Sequence, residues 1–456
     1  MRILLTGATG FIGKKLSKRL LLEGHSLVLL VRDLEKAKQS FPYPADFFLW
    51  NAKDEPDPAA FTGVDGVIHL AGESIVGARW SEAQKRKIHD SRILSARALV
   101  SAMEKLGDAK PQVFLGASAI GFYGDRKDEV LDEQSPLGAG FLSEICRDWE
   151  SEVLTKAIPG LRSVAVRIGI VLGKGGGALE KLLPLFKKGM GGPIGSGSQW
   201  MSWIHIDDLV SVFLECLENS KLVGPINAVA PEAVTNRDFS KALGEALQTS
   251  VFFTAPAAAL KLAMGEMSTA VLGSTRVKPA RLLQNGFRFK FSRIEQAFSE
   301  IVQGVSNDEV EYLDELWVPH ELKQVFEYFG DAKNLEAITP PWLNFKIVSM
   351  STPEIREGTL IDYKLKVHGF PMKWRTLIED WTPGIQFIDT QLKGPYKKWH
   401  HTHRFSKLAK GTLIEDRVIY RLPGGLLGSA LMGGKIKQDV TEIFKFRTMK
   451  IRERFN

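Results

Sequence analysis

The sequence predicts an α/β doubly wound parallel sheet with a small, mainly helical lobe, followed by a separate C-terminal α+β domain. Three observations carry this. Short apolar runs alternate with amphipathic stretches from residue 2 to residue 173. A glycine turn, within MRILLTGATGFIG (1–13), joins the first run to the first amphipathic stretch. Beyond residue 308 the pattern changes to runs rich in Thr, Ile, Tyr and Trp, and it closes on one long amphipathic segment, 435–455. At 456 residues the chain is too long for one core, so two or three domains are expected.

In chain order, residues 2–6 read as a strand, Phe11 to Leu22 as a helix ending at Gly24, and Ser26 to Val31 as a second strand. VDGVIHLAG (64–72), a helix from Ser81 to Leu106, QVFLGASA (112–119), a helical stretch over 141–157 and SVAVRIGIVLG (163–173) continue the rhythm, which argues for parallel strands. After Gly192 the segments become mainly helical, with Thr235 placed to cap a helix over 235–247. The polar bridge QGVSND (303–308) is the preferred boundary, giving units 1–230, 231–302 and 308–456. In the last unit a strand from Val310 to Val318 and a helix from about His320 to Phe329 precede strands divided by TPG and GPY turns. A twisted antiparallel sheet around the terminal helix is the simplest arrangement.

Composition excludes several classes. Hydrophobic residues make up 44% and charged residues 25%, an ordinary globular mix. The net charge of +7 is spread without a basic run, so it reads as surface bias and not as a nucleic-acid footprint. Cys146 and Cys216 are the only cysteines and stand far apart, which argues against a disulfide framework and suits a reducing compartment. Met1 to Leu5 runs straight into structure with no leader pattern, and the most apolar window, 254–273, is broken by Pro256, Lys261 and Glu266. A cytoplasmic protein without a membrane span is expected.

Gly7, Gly10 and Gly13 lie between a strand and a helix, the context in which this spacing lets a backbone approach a pyrophosphate at a helix N-terminus. The second strand ends LLVRD, where Arg32 suits a 2′-phosphate and favours NADP(H) over NAD(H), while the adjacent Asp33 is placed to take a ribose hydroxyl instead.

TGATGFIG, VIHLAGESI, RWSEAQKRKIHDSRI, SAIGFYGD, RIGIVLGKGGGAL and GGPIGSGSQWMSWIHIDDLV together resemble the atypical short-chain dehydrogenase/reductase group of the NAD-dependent epimerase/dehydratase superfamily, in its epimerase-like, cell-division-inhibitor-like subgroup, over residues 1–302. The resemblance implies a Rossmann domain. It also implies that Gly7, Thr9, Gly10, Phe11, Ile12 and Gly13 cradle the pyrophosphate and that Arg32 meets the adenosine phosphate. Leu70 and Ala71 would line the adenosine side, and Arg92 and Val171 complete the cofactor site.

A typical member carries Tyr-x-x-x-Lys one helix after a serine-bearing strand. Ser118 is in place, but Leu142 and Cys146 occupy the tyrosine and lysine positions when Glu150 is aligned with the acidic residue near that helix's middle. Tyr123 is the substitute candidate for catalysis, beside a binding or packing role. Cys146 as a nucleophile is disfavoured, since no histidine lies near it in sequence. Asp207 and Asp208, after His205, read as a helix cap more readily than as a His–Asp pair. The loops GKGGGAL (173–179) and GGPIGSG (191–197) either contact substrate or turn the chain.

Residues 308–456 resemble the START-like, polyketide-cyclase-like (SRPBCC) helix-grip superfamily, on NLEAITPPWLNFKI (334–347), IEDWTPGIQFIDTQLKGPYKKWHHTHRF (378–405) and LPGGLLGSALMGG (422–434). Such folds imply an apolar cavity for a small-molecule ligand. Trp342, Phe345, Trp374, Trp381 and Trp399 are candidates to line it, or to pack a core. On a strand His401 and His403 share a face opposite His400; with no carboxylate close in sequence, no metal is expected, and a wet face or a polar anchor is preferred. LPGGLLGSALMGG is a candidate lid. The leading functional expectation is an NADP(H)-dependent oxidoreductase whose apolar substrate the last domain handles; the alternative is an inert NADP(H)-binding sensor coupled to a lipid-like ligand.

Overall fold

The computed structural model describes residues 1–76, 78–154 and 158–455, with only the backbone over 425–431. Two compact units divide the chain, Met1–Phe41 with Ala45–Gln303, and Pro42–Pro44 with Gly304–Asn456. Each unit has its own sheet and its own hydrophobic cores.

The sheet of the first unit has seven strands: β1 (Arg2–Thr6), β2 (Ser26–Val31), β3 (Asp46–Leu49), β4 (Gly66–His69), β5 (Val113–Ala119), β6 (Arg162–Ile168) and β7 (Gly224–Ala228). All neighbours pair parallel, in the order β3-β2-β1-β4-β5-β6-β7. This is a Rossmann fold. Helices cover both faces, so the strands read as unbroken apolar runs: Ile3, Leu4 and Leu5 of β1 are fully buried, and so are Val67 and Ile68 of β4. The strand order reverses between β1 and β4, which opens a crevice at their carboxyl ends.

Helix ends follow local chemistry. Ser81 caps the helix Glu82–Lys105 by accepting from the Gln84 N–H at 3.2 Å, and Thr235 caps Asn236–Ala246 by accepting from the Asp238 N–H at 3.1 Å. The cap before Ile206–Glu218 corrects an expectation. His205, not an aspartate, accepts there, from the Asp207 N–H. The buried Asp208 carboxylate instead accepts the backbone N–H groups of Lys290 and Phe291, tying the loop before Ile294–Val302 to the Rossmann sheet's helix. The helical lobe packs through Trp203, Leu243 and the edge-to-face pair Phe239–Phe298. The helix Phe141–Leu154 fills most of the stretch 141–157, whose last three residues lie outside the described ones.

The second unit holds β8 (Glu309–Val318), β9 (Lys346–Met350), β10 (Leu360–Val367), β11 (Phe370–Thr382), β12 (Gln386–Lys393), β13 (Lys398–Leu408) and β14 (Gly411–Arg421). They pair antiparallel in the order β8-β14-β13-β12-β11-β10-β9. The terminal helix, Gly425–Phe455, buries Val440, Phe444, Ile451 and Phe455, the helical spacing that an α+β helix-grip domain needs. The candidate lid is corrected in its backbone: helix begins at Gly425, after a turn taken by Gly424 at φ +82°, because the leucines and alanine that follow are strong helix formers. The side chains of 425–431 lie outside the described residues. Of the five candidate lining aromatics, Trp381 packs in the Phe326–Phe387–Phe405 core, Trp374 contacts Tyr396 and Trp399, and Phe345 leans on Tyr363. Trp342 differs, being 54% exposed at the edge of Phe446. No helix among the described residues is long and apolar enough to cross a membrane.

Phe326 stands edge-on to Phe405 and against Trp381, with no polar partner to rearrange around a void. Phe326→Ala should therefore cost about 3–5 kcal/mol in the second unit, measured by denaturant unfolding followed through tryptophan fluorescence.

Candidate functional site

The turn after β1 is shaped by what it excludes. Gly7 adopts φ +72°, and a Cβ there would lie 2.9 Å from the Ala71 nitrogen. A Cβ at Gly13 would lie 2.2 Å from the Gly7 carbonyl oxygen, so only glycine lets the helix Phe11–Leu22 start this close to the strand. The Gly10 N–H closes the turn on the Gly7 carbonyl at 3.0 Å. No side chain caps this helix and no acidic residue sits in its first turn, so its free N–H groups and positive dipole end are uncompensated. That is an anion cradle. Thr9 is exposed at its rim and Ile12 is half-buried.

The opposite wall is the segment after β4, held by a buried chain that the sequence did not disclose. The Thr6 hydroxyl receives the Ala71 N–H at 3.1 Å and donates to Nδ1 of His69 at 2.7 Å. Ser95 gives its own proton to the Ser91 carbonyl at 2.7 Å, so it accepts from the other ring nitrogen, Nε2, at 2.9 Å, and the ring proton sits there. Burial, with Arg92 adding to it, pushes the His69 pKa down to about 3, so the ring is neutral. Leu70 and Ala71 are thus fixed against Gly7. Arg92 follows at once: its guanidinium would meet a Cβ on Gly72 at 3.2 Å, donates to the Ile88 carbonyl at 3.0 Å and lies over Trp149.

At the end of β2, Asp33 is committed to capping the helix Leu34–Ser40, accepting the Lys36 N–H at 2.9 Å. Arg32 beside it is exposed and has no ion pair or hydrogen bond among the described residues. Phe11 lies beneath the 173–177 loop, where a Cβ on Gly176 would come within 2.5 Å of its ring, and the Val171 carbonyl would be 2.8 Å from a Cβ on Gly177. These glycines pack the chain over Phe11. Gly191 and Gly192 likewise admit Phe186 and the Phe253 carbonyl.

Ser118 and Tyr123 belong to a different, fully buried assembly. Arg167 grips Glu150 with two hydrogen bonds of 2.8 Å and donates to the Tyr123 hydroxyl at 2.9 Å. That hydroxyl donates to Asn227 at 2.7 Å, and Ser118 donates to Glu150 at 2.7 Å. Burial, partly offset by Arg167, pushes the Tyr123 pKa up to about 12, and its side chain is 0% exposed. Cys146 is buried beside Ser118, its thiol pushed up to about 12 by burial and by Glu150. It is an inert thiol. Leu142 and Cys146 both lie under Gly121, so the helix position that carries the tyrosine–lysine pair elsewhere is used here for packing.

This strand order and glycine turn match known proteins. The model of the NAD dependent epimerase/dehydratase family fits residues 3–228, and a domain of unknown function found alongside it fits 255–301. The chain is 40% identical over 304 residues, 87% of the relative's length, to the chloroplastic SDR39U1 homolog, an epimerase family protein of Arabidopsis thaliana. The chain belongs to the NAD dependent epimerase/dehydratase family. A human member, epimerase family protein SDR39U1, was solved with NADPH; it is 32% identical with a TM-score of 0.60 over 67% of this chain and all of its own. The nucleoside-diphosphate sugar epimerase of Corynebacterium glutamicum is also 32% identical, TM-score 0.54, over 66% of this chain and 58% of that one. The Polyketide cyclase / dehydrase and lipid transport model fits residues 318–445, so this epimerase family member is an atypical short-chain dehydrogenase/reductase fused to a cyclase-like domain.

In the cyclase-like domain the strand pairing assembles what sequence proximity did not show. His401 and His403 of β13 are 5% and 3% exposed, facing the terminal helix, so the expected wet face is corrected to a buried one. The premise that no carboxylate is near also fails in space. Asp389 of β12 stands opposite His401, and Asp416 of β14 opposite His403. Burial raises both acids, but Arg447 and His403 outweigh it at Asp416, and His401, His403 and Arg447 outweigh it at Asp389, so both are held below the usual carboxylate range.

The His69 chain makes an acid-sensitive joint. Its folded pKa of about 3 lies below the unfolded value of 6.5, so the unfolded state binds the extra proton first and stability falls as pH drops through that window. The loss should approach about 1.4 kcal/mol per pH unit in urea-melting series, and His69→Gln should remove that part of the slope.

Proposed function

We propose that residues 1–302 bind NADP(H) and that the protein is an NADP(H)-dependent, epimerase-like oxidoreductase for a small apolar molecule handled by the cyclase-like domain. The observation that carries the cofactor reading is the division of labour at Arg32 and Asp33. Asp33 spends its carboxylate on a helix cap, while Arg32 stands free at the strand end where a 2′-phosphate falls. The cradle that a Cβ at Gly7 or Gly13 would fill fits a pyrophosphate, and the human relative solved with NADPH supports the phosphate preference. Gly7, Gly10 and Gly13 present backbone N–H groups, with Thr9, Phe11 and Ile12 beside them. Arg32 holds the adenosine phosphate, Leu70 and Ala71 the adenosine side, and Arg92 with Val171 closes the site. When bound there, the nicotinamide would supply or accept a hydride. Ser118 and Tyr123, the catalytic candidates, act here as positioning groups, since their hydroxyls serve Glu150, Asn227 and Arg167.

The same buried network favours a second reading, in which NADP(H) is a structural ligand and the protein senses a lipid-like molecule. The description of the C-terminal family, which includes lipid transport, supports an apolar ligand under either reading. Two free, buried cysteines suit a reducing compartment.

Native mass spectrometry of the full chain, followed by titration with NADPH and NADH, tests the cofactor. Arg32→Ala should weaken NADPH by about tenfold or more and leave NADH nearly unchanged, the loss expected for a charged hydrogen-bond donor on a phosphate. Equal loss of both nucleotides would assign Arg32 no phosphate. Once turnover of NADPH with a released metabolite is measured, Tyr123→Phe should keep kcat within about threefold while lowering the melting temperature, because the hydroxyl supports packing. A collapse of kcat in a folded Tyr123→Phe variant would return Tyr123 to the chemistry.

A further inference from the structure

His401, His403, Asp389 and Asp416 form one buried cluster in which each ring has an aspartate near both of its nitrogens. Each imidazole turns one nitrogen to Asp416 and the other to Asp389. Oδ1 of Asp416 lies 2.9 Å from Nε2 of His401 and 2.8 Å from Nδ1 of His403. Oδ2 of Asp389 lies 3.4 Å from Nδ1 of His401 and 2.9 Å from Nε2 of His403. With one proton on each ring, only two of these four contacts are N–H···O bonds. With both protons on the Asp416 side, two nitrogen lone pairs and a carboxylate oxygen converge on one point, and three acceptors in a buried space repel one another unless a cation lies between them.

With the His403 proton on Nε2, that nitrogen donates to Asp389 at 2.9 Å and Nδ1 accepts from Arg447 at 3.3 Å, while Asp416 Oδ1 still lies 2.8 Å from Nδ1. Arg447 already compensates Asp416. Its guanidinium lies 3.8 Å from the Asp416 carboxylate and 3.3 Å from Nδ1 of His403, and it also lies over the Phe329 ring. Arg447 also lowers Asp389 through space, but it makes no ion pair with that carboxylate among the described residues.

We propose that Asp389, His401 Nδ1 and His403 Nε2 form a binding site for a divalent transition-metal ion, with Asp416 as the carboxylate that orients both histidines from behind. The three donor atoms lie within 4.8 Å of one another. The 2.9 and 3.4 Å separations from Asp389 match the donor–donor edges of about 2.9 Å in an octahedron and about 3.3 Å in a tetrahedron built on metal–ligand bonds of about 2.0–2.1 Å. Histidine that binds a metal through one nitrogen and a carboxylate through the other is the usual second-layer arrangement, and here one aspartate serves two rings. Two imidazoles and a carboxylate select zinc, iron, cobalt or nickel over magnesium or calcium, which take oxygen donors. Three protein donors leave a coordination position for water or for an oxygen atom of a ligand. Asp389 keeps 20% of its side chain exposed, against 6% and 4% for the histidines, so it forms the accessible side of the site. Phe387, stacked on His403 at 4.0 Å between centroids, fixes that ring's plane.

The test uses the full chain, untagged and purified without chelator, with metal content read by plasma mass spectrometry and the stripped protein titrated with Zn²⁺ and Co²⁺. We expect about one ion per chain, visible d–d absorption with Co²⁺, and a rise in the second unit's melting temperature with Zn²⁺. Asp389→Asn and His403→Gln should abolish all three. Asp416→Asn should weaken Zn²⁺ by about 10–100-fold, because it removes only the orienting carboxylate. His400→Ala, on the opposite face of β13, should retain the ion. No metal in the purified chain, together with no Co²⁺ spectrum and an unmoved melting temperature, would overturn the proposal and leave a second proton on His403 as the cation of the cluster. Unchanged binding in a folded Asp389→Asn variant would overturn it too.

Discussion

The crevice of the first unit depends on one close approach, that of the helix backbone at Gly13 to the Gly7 carbonyl. Because no side chain separates them, the helix starts directly over the end of β1 and its N-terminus faces the gap where the strand order reverses. The rest of the wall is built to keep that gap in place. Thr6 shares its hydroxyl between the segment after β4 and a neutral histidine, and that histidine is pinned to the long helix through Ser95. Strand, turn and helix are therefore joined by a short run of satisfied buried hydrogen bonds, which rigidify the spot where a ligand phosphate needs fixed donors.

A second buried assembly explains why the familiar acid–base pair is missing without a hole being left behind. Glu150 and Arg167 bring opposite charges into the core at side-chain exposures of 7% and 4%, tolerable because both side chains find further hydrogen-bond partners. Ser118 and Tyr123 provide those remaining partners, and Arg167 also lies 3.5 Å over the Phe122 ring. Removing Glu150 or Arg167 would leave the other charge buried and uncompensated at a cost of about 3–5 kcal/mol, and the tyrosine hydroxyl is held by its bond from that arginine. Burial pushes the Tyr123 hydroxyl up to about 12, and Arg167 and Asn227 hold it inside this network.

How legible was this in the sequence? The parallel sheet and its glycine turn were, because both depend on local signals: apolar runs, the spacing of Gly7, Gly10 and Gly13, and Arg32 at a strand end. The cap on Ile206–Glu218 was misassigned because two aspartates advertise a cap more strongly than a histidine does, yet Asp208 was needed 82 residues away, at Lys290. Thr6, His69 and Ser95 went unnoticed because each looks ordinary alone. Their hydrogen bonds span 63 and 26 positions, and only the sheet register makes them neighbours.

The cyclase-like domain makes the same point in a stronger form. His401 and His403 announce a shared strand face through their spacing of two, but their carboxylate partners sit 12 and 13 positions away, at Asp389 and Asp416. An antiparallel meander sets those offsets, since each hairpin returns the chain beside itself after roughly a strand and a turn. Hairpin register, not proximity, is thus the signal that finds such a site in a β-sheet domain. Pairing Asp389 with His401 and His403 with Asp416 places two acids and two bases on one buried face. A protein that had no use for cations or protons there would gain by filling that face with aliphatic side chains. The terminal helix brings Arg447 into contact with Asp416 and His403, while its pull on Asp389 acts only through space, so the two acids of the face are unequally paired.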